Sequence, residues 1–142
     1  MQNQGLFDKD VSCMTREEKN NTVRAFRISM AVTVVAAVIY VSLFAVFAVR
    51  YSNAYDTWEQ LYTLYESALA ENAEAVLNEH PEIATATEQV NSASLALGLV
   101  LVLGVIFVIA AVSICNRGLK KKYPYYSEKK YRSIMKEKRG QN

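Results

Sequence analysis

The chain has 142 residues, of which 51% are hydrophobic and 21% charged, and 16 lysines and arginines against 14 aspartates and glutamates give a net charge of +2. Residues 93–115 carry no charge and residues 28–50 carry only Arg50, whereas the net charge is −8 over 51–92 and +8 over 116–142. Two apolar blocks between charged zones of different sign exclude a soluble protein with a single core and predict an integral membrane protein.

The N-terminal tail, residues 1–27, is predicted to be weakly ordered up to Met14 and helical beyond it. Thr15 and Glu18 have the T-x-x-E spacing of a capping box, in which each side chain accepts a hydrogen bond from the other residue's backbone N–H. A helix is expected to begin there and to run into the first apolar block. The basic residues of this helix are Arg16, Lys19, Arg24 and Arg27.

Residues 28–49 and 93–115 are predicted transmembrane helices, called span 1 and span 2 below. About 20 apolar residues cross the hydrocarbon core of a bilayer, and neither block contains Asp, Glu, Lys, Arg, His or Pro. The predicted fold class is therefore all-α, a hairpin of two transmembrane helices with an external amphipathic helical segment at 50–92.

The basic residues beside the spans predict the orientation of this multi-pass protein. Lysines and arginines concentrate in the tails at 1–27 and 116–142, and the positive-inside rule therefore places both termini in the cytoplasm. No obvious presequence precedes span 1, and the external segment has no glycosylation sequon. A bacterial plasma membrane is therefore favoured, with an organellar inner membrane as the alternative.

The external segment is predicted to be an acidic amphipathic helix followed by a short return to span 2. Its apolar side chains recur every three or four residues, which puts them on one helical face. These residues, called the stripe below, are Tyr55, Trp58, Leu61, Tyr62, Tyr65, Leu69 and Val76. Asn72 interrupts the stripe, and Leu64 lies outside it.

The limits of this helix decide what can cover the stripe. Asp56 and Glu59 could cap a new helix after a bend beyond span 1; alternatively, span 1 continues without a break. Pro81 is expected to end the helix, because proline disfavours helical geometry in the residue before it. The helix over 53–79 would be about 40 Å long and the return to span 2 only about 18 Å. We therefore expect the stripe to fold back on its own chain or to be buried by another chain. Tyr51, Tyr55 and Trp58 follow span 1 and are expected at the outer membrane–water interface.

Small residues in the spans predict where helices pack closely, since lipid provides no hydrophobic drive for helix association. The candidates are Ser29, Thr33, Ala37 and Ala45 in span 1 and Ser94, Gly98, Gly104 and Ala111 in span 2. Pairing of the two spans within the chain is the first use we expect for them.

The C-terminal tail, residues 116–142, is predicted to be basic and partly helical. Gly118 is expected to end the second helix, Pro124 to lie in a turn and Ser127 to cap a short helix. The basic cluster consists of Arg117, Lys120, Lys121, Lys122, Lys129, Lys130 and Arg132. Its expected partner is anionic lipid at the cytoplasmic face, because a tail that is tethered to the membrane meets lipid first. Nucleic acid would be attracted by the same electrostatics but is not expected as a partner.

No motif for catalysis, metal binding or cofactor binding is found in the sequence, so we expect no enzyme and no cofactor. The leading hypothesis is a non-enzymatic accessory, scaffold or assembly subunit of a larger membrane complex, or a homo-oligomer, with another membrane protein or a copy of itself as partner. The alternative is an oligomeric pore former with a holin-like or channel-like layout, and a third possibility is a small external sensor.

Overall fold

The computed structural model of the chain describes residues 10–140, and its regular elements are helical. They are a 3-10 turn at Val11–Cys13, α1 at Arg16–Glu79, α2 at Pro81–Lys122 and α3 at Glu128–Gly140. The part from 10 to 140 contains no β-strand, which confirms the all-α class for those residues. Residues 1–9, most of the stretch predicted to be weakly ordered, lie outside the described residues.

Two of the predicted helix starts are confirmed. The Thr15 N–H donates to Glu18 Oε2 at 2.7 Å, and the Glu18 N–H donates to Thr15 Oγ1 at 3.2 Å. This capping box satisfies N–H groups that have no partner inside α1. At the start of α3, the Lys130 N–H donates to Ser127 Oγ at 3.3 Å, so a hydroxyl caps this helix as well.

α1 continues from span 1 into the external segment without a break until Asn72. The alternative of an unbroken helix is therefore correct, and Asp56 and Glu59 do not begin a new one. Asn72 has extended backbone angles, φ −153° and ψ 86°. Its Oδ1 accepts a hydrogen bond from the Ala75 N–H at 3.2 Å, so Asn72 acts as the N-cap of a separate helical segment at 73–79.

The chain reverses its direction at Asn72. Along a straight helix, Tyr65 and His80 would be about 22 Å apart, yet their ring centroids are 4.2 Å apart. A contact this close requires residues 73–79 to run back beside the helix that precedes Asn72. The expected fold-back of the external segment is thereby confirmed.

Pro81 has a smaller role than predicted. It separates α1, which ends at Glu79, from α2, but residues 73–79 already belong to the returning arm. The outward arm, 53–71, is about 29 Å long and the returning arm, 73–92, about 30 Å. The predicted mismatch between a long helix and a short return is therefore wrong, because a cap at Asn72, and not the proline, turns the chain.

α2 continues through Gly118 to Lys122, so the prediction that Gly118 ends this helix is wrong. Glycine favours helix ends where it adopts a positive φ, and no glycine among residues 10–140 does so. The next residue, Leu119, is buried in a protein core, which extends the helix. Pro124 lies in the turn that follows, as predicted.

Each long helix contains a segment that is long and apolar enough to cross a membrane. Within the most apolar 18-residue stretch of each helix, only 6% of the residues in α1 and 0% in α2 are buried. A core helix of a soluble protein would have most of these side chains covered. Val34, Val46, Leu103 and Ile109 are among the large apolar side chains that stay exposed.

The chain forms two compact units, one made of Met1–Ala37 with Phe107–Asn142 and the other of Val38–Ile106. In the first unit, Met14, Val23 and Ile134 form a buried cluster. The predicted weak order up to Met14 is therefore wrong for residues 10–14, because Met14 packs in this cluster and the 3-10 turn contacts α3.

In the second unit, the returning arm buries a row of small or aliphatic side chains. Ile83, Ala86 and Ala93 are each less than 5% exposed. Their spacing of three and seven residues puts them on one face of α2, as expected for a helix that packs along the outward arm.

Candidate interaction surfaces

Four aromatic rings form a continuous ladder on the outward arm of the second unit. From Tyr51 through Tyr55 and Trp58 to Tyr62, successive ring centroids are 6.1, 5.7 and 5.1 Å apart. These distances lie in the range where aromatic pairs attract, by about 0.5–1.5 kcal/mol each. The ladder extends the stripe by one ring, Tyr51, towards span 1.

Trp58 joins this aromatic ladder to the returning arm. Its Nε1–H donates to Thr87 Oγ1 at 3.1 Å, and the Thr87 hydroxyl donates to the Ile83 carbonyl at 2.9 Å. The polar atom of a half-buried indole is thus satisfied, and the two arms are held in one register.

A second contact lies close to the reversal. The Tyr65 ring packs on His80, and His80 Nδ1 lies 3.1 Å from Glu82 Oε1. Together with the Asn72 cap, this contact holds residues 73–79 against the outward arm.

The stripe is divided between covered and open side chains. Tyr55 and Tyr62 are exposed, whereas Trp58, Leu61, Tyr65, Leu69 and Val76 are half-buried. Val76 lies beyond the reversal and so belongs to the other arm. Leu64, outside the stripe, is 70% exposed. The returning arm therefore covers one edge of the stripe and leaves the Tyr55–Tyr62 edge open within this chain.

Three of the small or hydroxyl-bearing span residues make contacts inside the chain. Ser29 Oγ donates to Asn116 Oδ1 at 2.8 Å, and Thr33 Oγ1 donates to the Ser29 carbonyl at 2.9 Å. In the second unit, the Tyr40 ring packs directly over Gly104. Close approach at Gly104 requires that this residue has no side chain.

The remaining candidates for span packing are less enclosed. Ala37 and Ala111 are half-buried, whereas Ala45, Ser94 and Gly98 are exposed. A Cβ added to Gly98 would meet no atom within 4 Å. The seam formed by Ser94 and Gly98 is therefore open in this chain.

Sequence reasoning missed Tyr40 and Asn116, which are the partners of Gly104 and Ser29. A signal was present for each, because Tyr40 is the one tyrosine within 28–49 and Asn116 is the first polar residue after span 2. Their pairing across more than 60 positions could not be read from local spacing.

The C-terminal helix docks on the beginning of α1 in the first unit. Phe26 and Tyr131 stack with ring centroids 3.8 Å apart, and Lys19 Nζ forms a 2.8 Å ion pair with Glu137. A second cluster of Ala25, Leu119, Tyr123 and Tyr126 lies beside them. The apolar side of α3 is therefore occupied by protein.

The basic cluster lies on the outside of this unit. Its members are exposed except for the half-buried Lys130. Arg132 pairs with Glu128 one turn away at 2.6 Å, and Lys122 Nζ lies 5.6 Å from the Tyr123 ring centroid. Because Ile134 faces the core, the exposed side of α3 is mainly charged.

Tyr126 gives the first unit a stability that depends on pH. Burial raises the pKa of its hydroxyl above the usual 10.0, the neighbouring Ser29 opposes this in part, and Glu128 and Cys115 add to it. The folded state thus favours the neutral phenol, so the stability that Tyr126 contributes to the folded state is complete below pH ~10 and is lost as pH rises through the folded-state pKa.

We expect Tyr126→Phe to weaken this alkaline loss of stability, measured as the free energy of unfolding in detergent between about pH 8 and pH 11. Tyr62→Phe, at an exposed ring, should leave the pH profile unchanged; an unchanged slope in Tyr126→Phe contradicts the prediction.

Residues 10–140 hold no group of three or more His, Cys, Asp or Glu side chains placed to bind a metal ion. Cys13 and Cys115 are both free thiols, the first exposed and the second half-buried.

Comparison of the chain with protein-family models, with curated proteins and with solved structures found no match.

Proposed function

We propose that this protein is a non-enzymatic membrane protein that acts as an accessory, scaffold or assembly subunit of a larger membrane complex, or as a homo-oligomer. Its two spans cross the membrane as a hairpin, with both tails in the cytoplasm and the external segment outside. A bacterial plasma membrane is the favoured location.

The exposure of the apolar helices supports the membrane location. Only 6% and 0% of the residues in the most apolar stretches of the two spans are buried. In water the spans would therefore expose a large apolar surface, at a free-energy cost of about 25 cal/mol per Å². Lipid covers such a surface without a protein partner, and the basic residues at the ends of the spans agree with cytoplasmic tails.

The observation that carries the interaction role is the open edge of the aromatic ladder. Tyr55 and Tyr62 are exposed in a row of ordered rings, and Trp58 is held in place by Thr87. Tyrosine and tryptophan are enriched in protein interfaces, where rigid rings bury a large area at little entropic cost. The ladder is thus a preorganised surface for a second copy or another membrane protein.

The open seam in span 2 supports the same role inside the bilayer. Ser94 and Gly98 have the small-xxx-small spacing that lets two helices approach closely. Because they are exposed here, they are not used for packing within the chain and can receive a helix of another chain.

The basic cluster is proposed to bind anionic lipid by charge alone. Each lysine or arginine near a cytoplasmic leaflet contributes about 1 kcal/mol of attraction. The cluster therefore fixes the orientation of the hairpin and holds the first unit at the membrane surface.

Crosslinking after purification in a mild detergent, together with pull-down and mass spectrometry, tests the interaction role. The wild type is expected to give a crosslinked homo-oligomer or a defined partner, and Tyr62→Ser is expected to lower its yield about tenfold, as for a central interface aromatic. Leu64→Ser is the matched control, because Leu64 is exposed but lies outside the stripe. A strictly monomeric wild type without a partner, or equal losses in both variants, would overturn the proposal.

A further inference from the structure

A polar cleft lies between the two arms of the second unit, beside the ends of both spans. Its volume is about 560 Å³, within the range of small-ligand sites. α1 contributes Arg50, Asn53, Ala54 and Thr57, and α2 contributes Thr85, Glu88, Gln89, Ser92 and Ala93. On each helix the spacing is that of a single face, so two polar faces meet across the cleft.

The cleft holds one positive and one negative side chain on opposite walls. Arg50 comes from α1 and Glu88 from α2. Within residues 10–140, neither side chain forms a hydrogen bond or an ion pair, and the same holds for the side chains of Asn53, Gln89 and Ser92. Thr57 and Thr85 donate their hydroxyl protons to backbone carbonyls, which leaves their oxygens as acceptors. A ligand would thus find both charges and several polar groups available.

The charge around the cleft restricts the ligand. Arg50 is the one lysine or arginine between positions 28 and 116, whereas eight carboxylates lie between 51 and 92. A guanidinium binds phosphate oxygens in a bidentate manner, but the acidic surroundings disfavour a ligand with net negative charge. A molecule that carries a phosphate and a protonated amine satisfies Arg50 and Glu88 together without adding net charge.

The position of the cleft restricts the ligand further. Arg50 directly follows span 1 and Ser92 directly precedes span 2, so in a membrane the cleft lies at the level of the external headgroups. Val49 and Leu95, next to it in sequence, are exposed apolar side chains against which acyl chains can lie. This position favours a lipid over a soluble molecule.

We propose that the cleft binds the headgroup of a zwitterionic phospholipid with a primary amine, with the phosphate on Arg50 and the ammonium on Glu88. The inference rests on the proposed membrane location. The neutral side chains of Asn53, Gln89 and Ser92 supply hydrogen bonds to the phosphate and glycerol oxygens.

Native mass spectrometry of the full-length protein tests this site with three phospholipids that share the same acyl chains. Their headgroups are phosphoethanolamine, phosphocholine and phosphoglycerol. The wild type is expected to bind the phosphoethanolamine lipid about tenfold more tightly than the other two. Phosphocholine has no N–H to donate to Glu88, and phosphoglycerol, although its hydroxyls can donate, has a net negative charge that the acidic surroundings disfavour. Equal binding of all three by the wild type overturns the inference.

Single substitutions test the roles of the two charged side chains one at a time. Arg50→Gln should weaken all three lipids about tenfold, and Glu88→Gln should abolish the preference for the primary amine while phosphate binding remains. Glu66→Gln, an exposed carboxylate outside the cleft, is the matched control and should keep the preference. If Arg50→Gln binds all three lipids as tightly as the wild type, or if Glu88→Gln keeps the preference, the cleft is not the site; if soluble O-phosphoethanolamine displaces the lipid at equal concentration, the ligand is not a lipid.

Alkaline carbonate extraction separates a failure of this inference from a failure of the proposed function. A wild type that stays in the membrane pellet and shows no headgroup preference overturns the lipid site alone. A wild type released into the soluble fraction overturns the membrane function as well.

Discussion

Replacing Ile134 by alanine is expected to release the C-terminal helix from the first unit and to lower the free energy of unfolding of that unit by about 2–5 kcal/mol. Ile134 is 1% exposed and lies between Met14 and Val23. Truncation removes buried methyl groups and leaves a cavity that connects three elements. α3 has only 13 residues, and a helix of that length is marginal in water without tertiary packing.

Amide hydrogen exchange over 128–140 and tryptic cleavage of α3, which is rich in lysine and arginine, measure this release. Lys136→Arg, at an exposed position on the same helix, keeps the tryptic site and is the control, which should change neither. Glu137→Gln removes the ion pair with Lys19 but should cost less than about 1 kcal/mol, because the pair is near the surface. If exchange in Ile134→Ala matches that of the wild type, the docking of α3 does not depend on this core.

The parts of the fold that depend on local sequence could be predicted. The two spans follow from long uncharged runs, and the starts of α1 and α3 follow from Thr15, Glu18 and Ser127, whose side chains act within three residues of themselves. Pro124 and Pro81 break helices through their own geometry. The cap and proline signals are each complete within about one turn of the chain, and each span is defined within its own continuous segment.

The reversal at Asn72 shows where local signals were insufficient. Asparagine is tolerated inside a helix and is also a strong N-cap. Its choice of the second role depends on contacts such as that of Tyr65 with His80, which form only after the chain has turned. The same limit applies to Gly118, where the burial of Leu119 decided that the helix continues.

The candidate surfaces were predictable as residue patterns but not as open or covered faces. The spacing of Tyr55, Trp58 and Tyr62 identified one helical face, yet the position of the returning arm determines which rings remain exposed. The cleft at Arg50 was not predicted at all, since its two polar faces are separated by more than 25 residues. Neither face has a distinctive motif by itself.

Gly104→Ala is expected to destabilise the packing of the two long helices in the second unit by about 1–3 kcal/mol, the usual cost of overpacking. A Cβ at this position would overlap the ring carbons of Tyr40, so the ring must move or the helices must separate. Tyr40 also donates its hydroxyl to the Leu101 carbonyl at 3.4 Å, and a displaced ring loses this long hydrogen bond.

Gly98→Ala is the matched control, because the added Cβ would meet no atom within 4 Å. Both substitutions replace glycine by a better helix former in the same helix, so a difference between them isolates the contact with Tyr40. Thermal unfolding in detergent should show a lower midpoint for Gly104→Ala alone. Adding Tyr40→Ala should make the Gly104→Ala substitution nearly neutral, since the ring that it displaces is gone and the two effects are then non-additive. Equal midpoints for the two glycine variants would mean that the Tyr40 ring yields at no cost and that Gly104 does not set the approach of these helices.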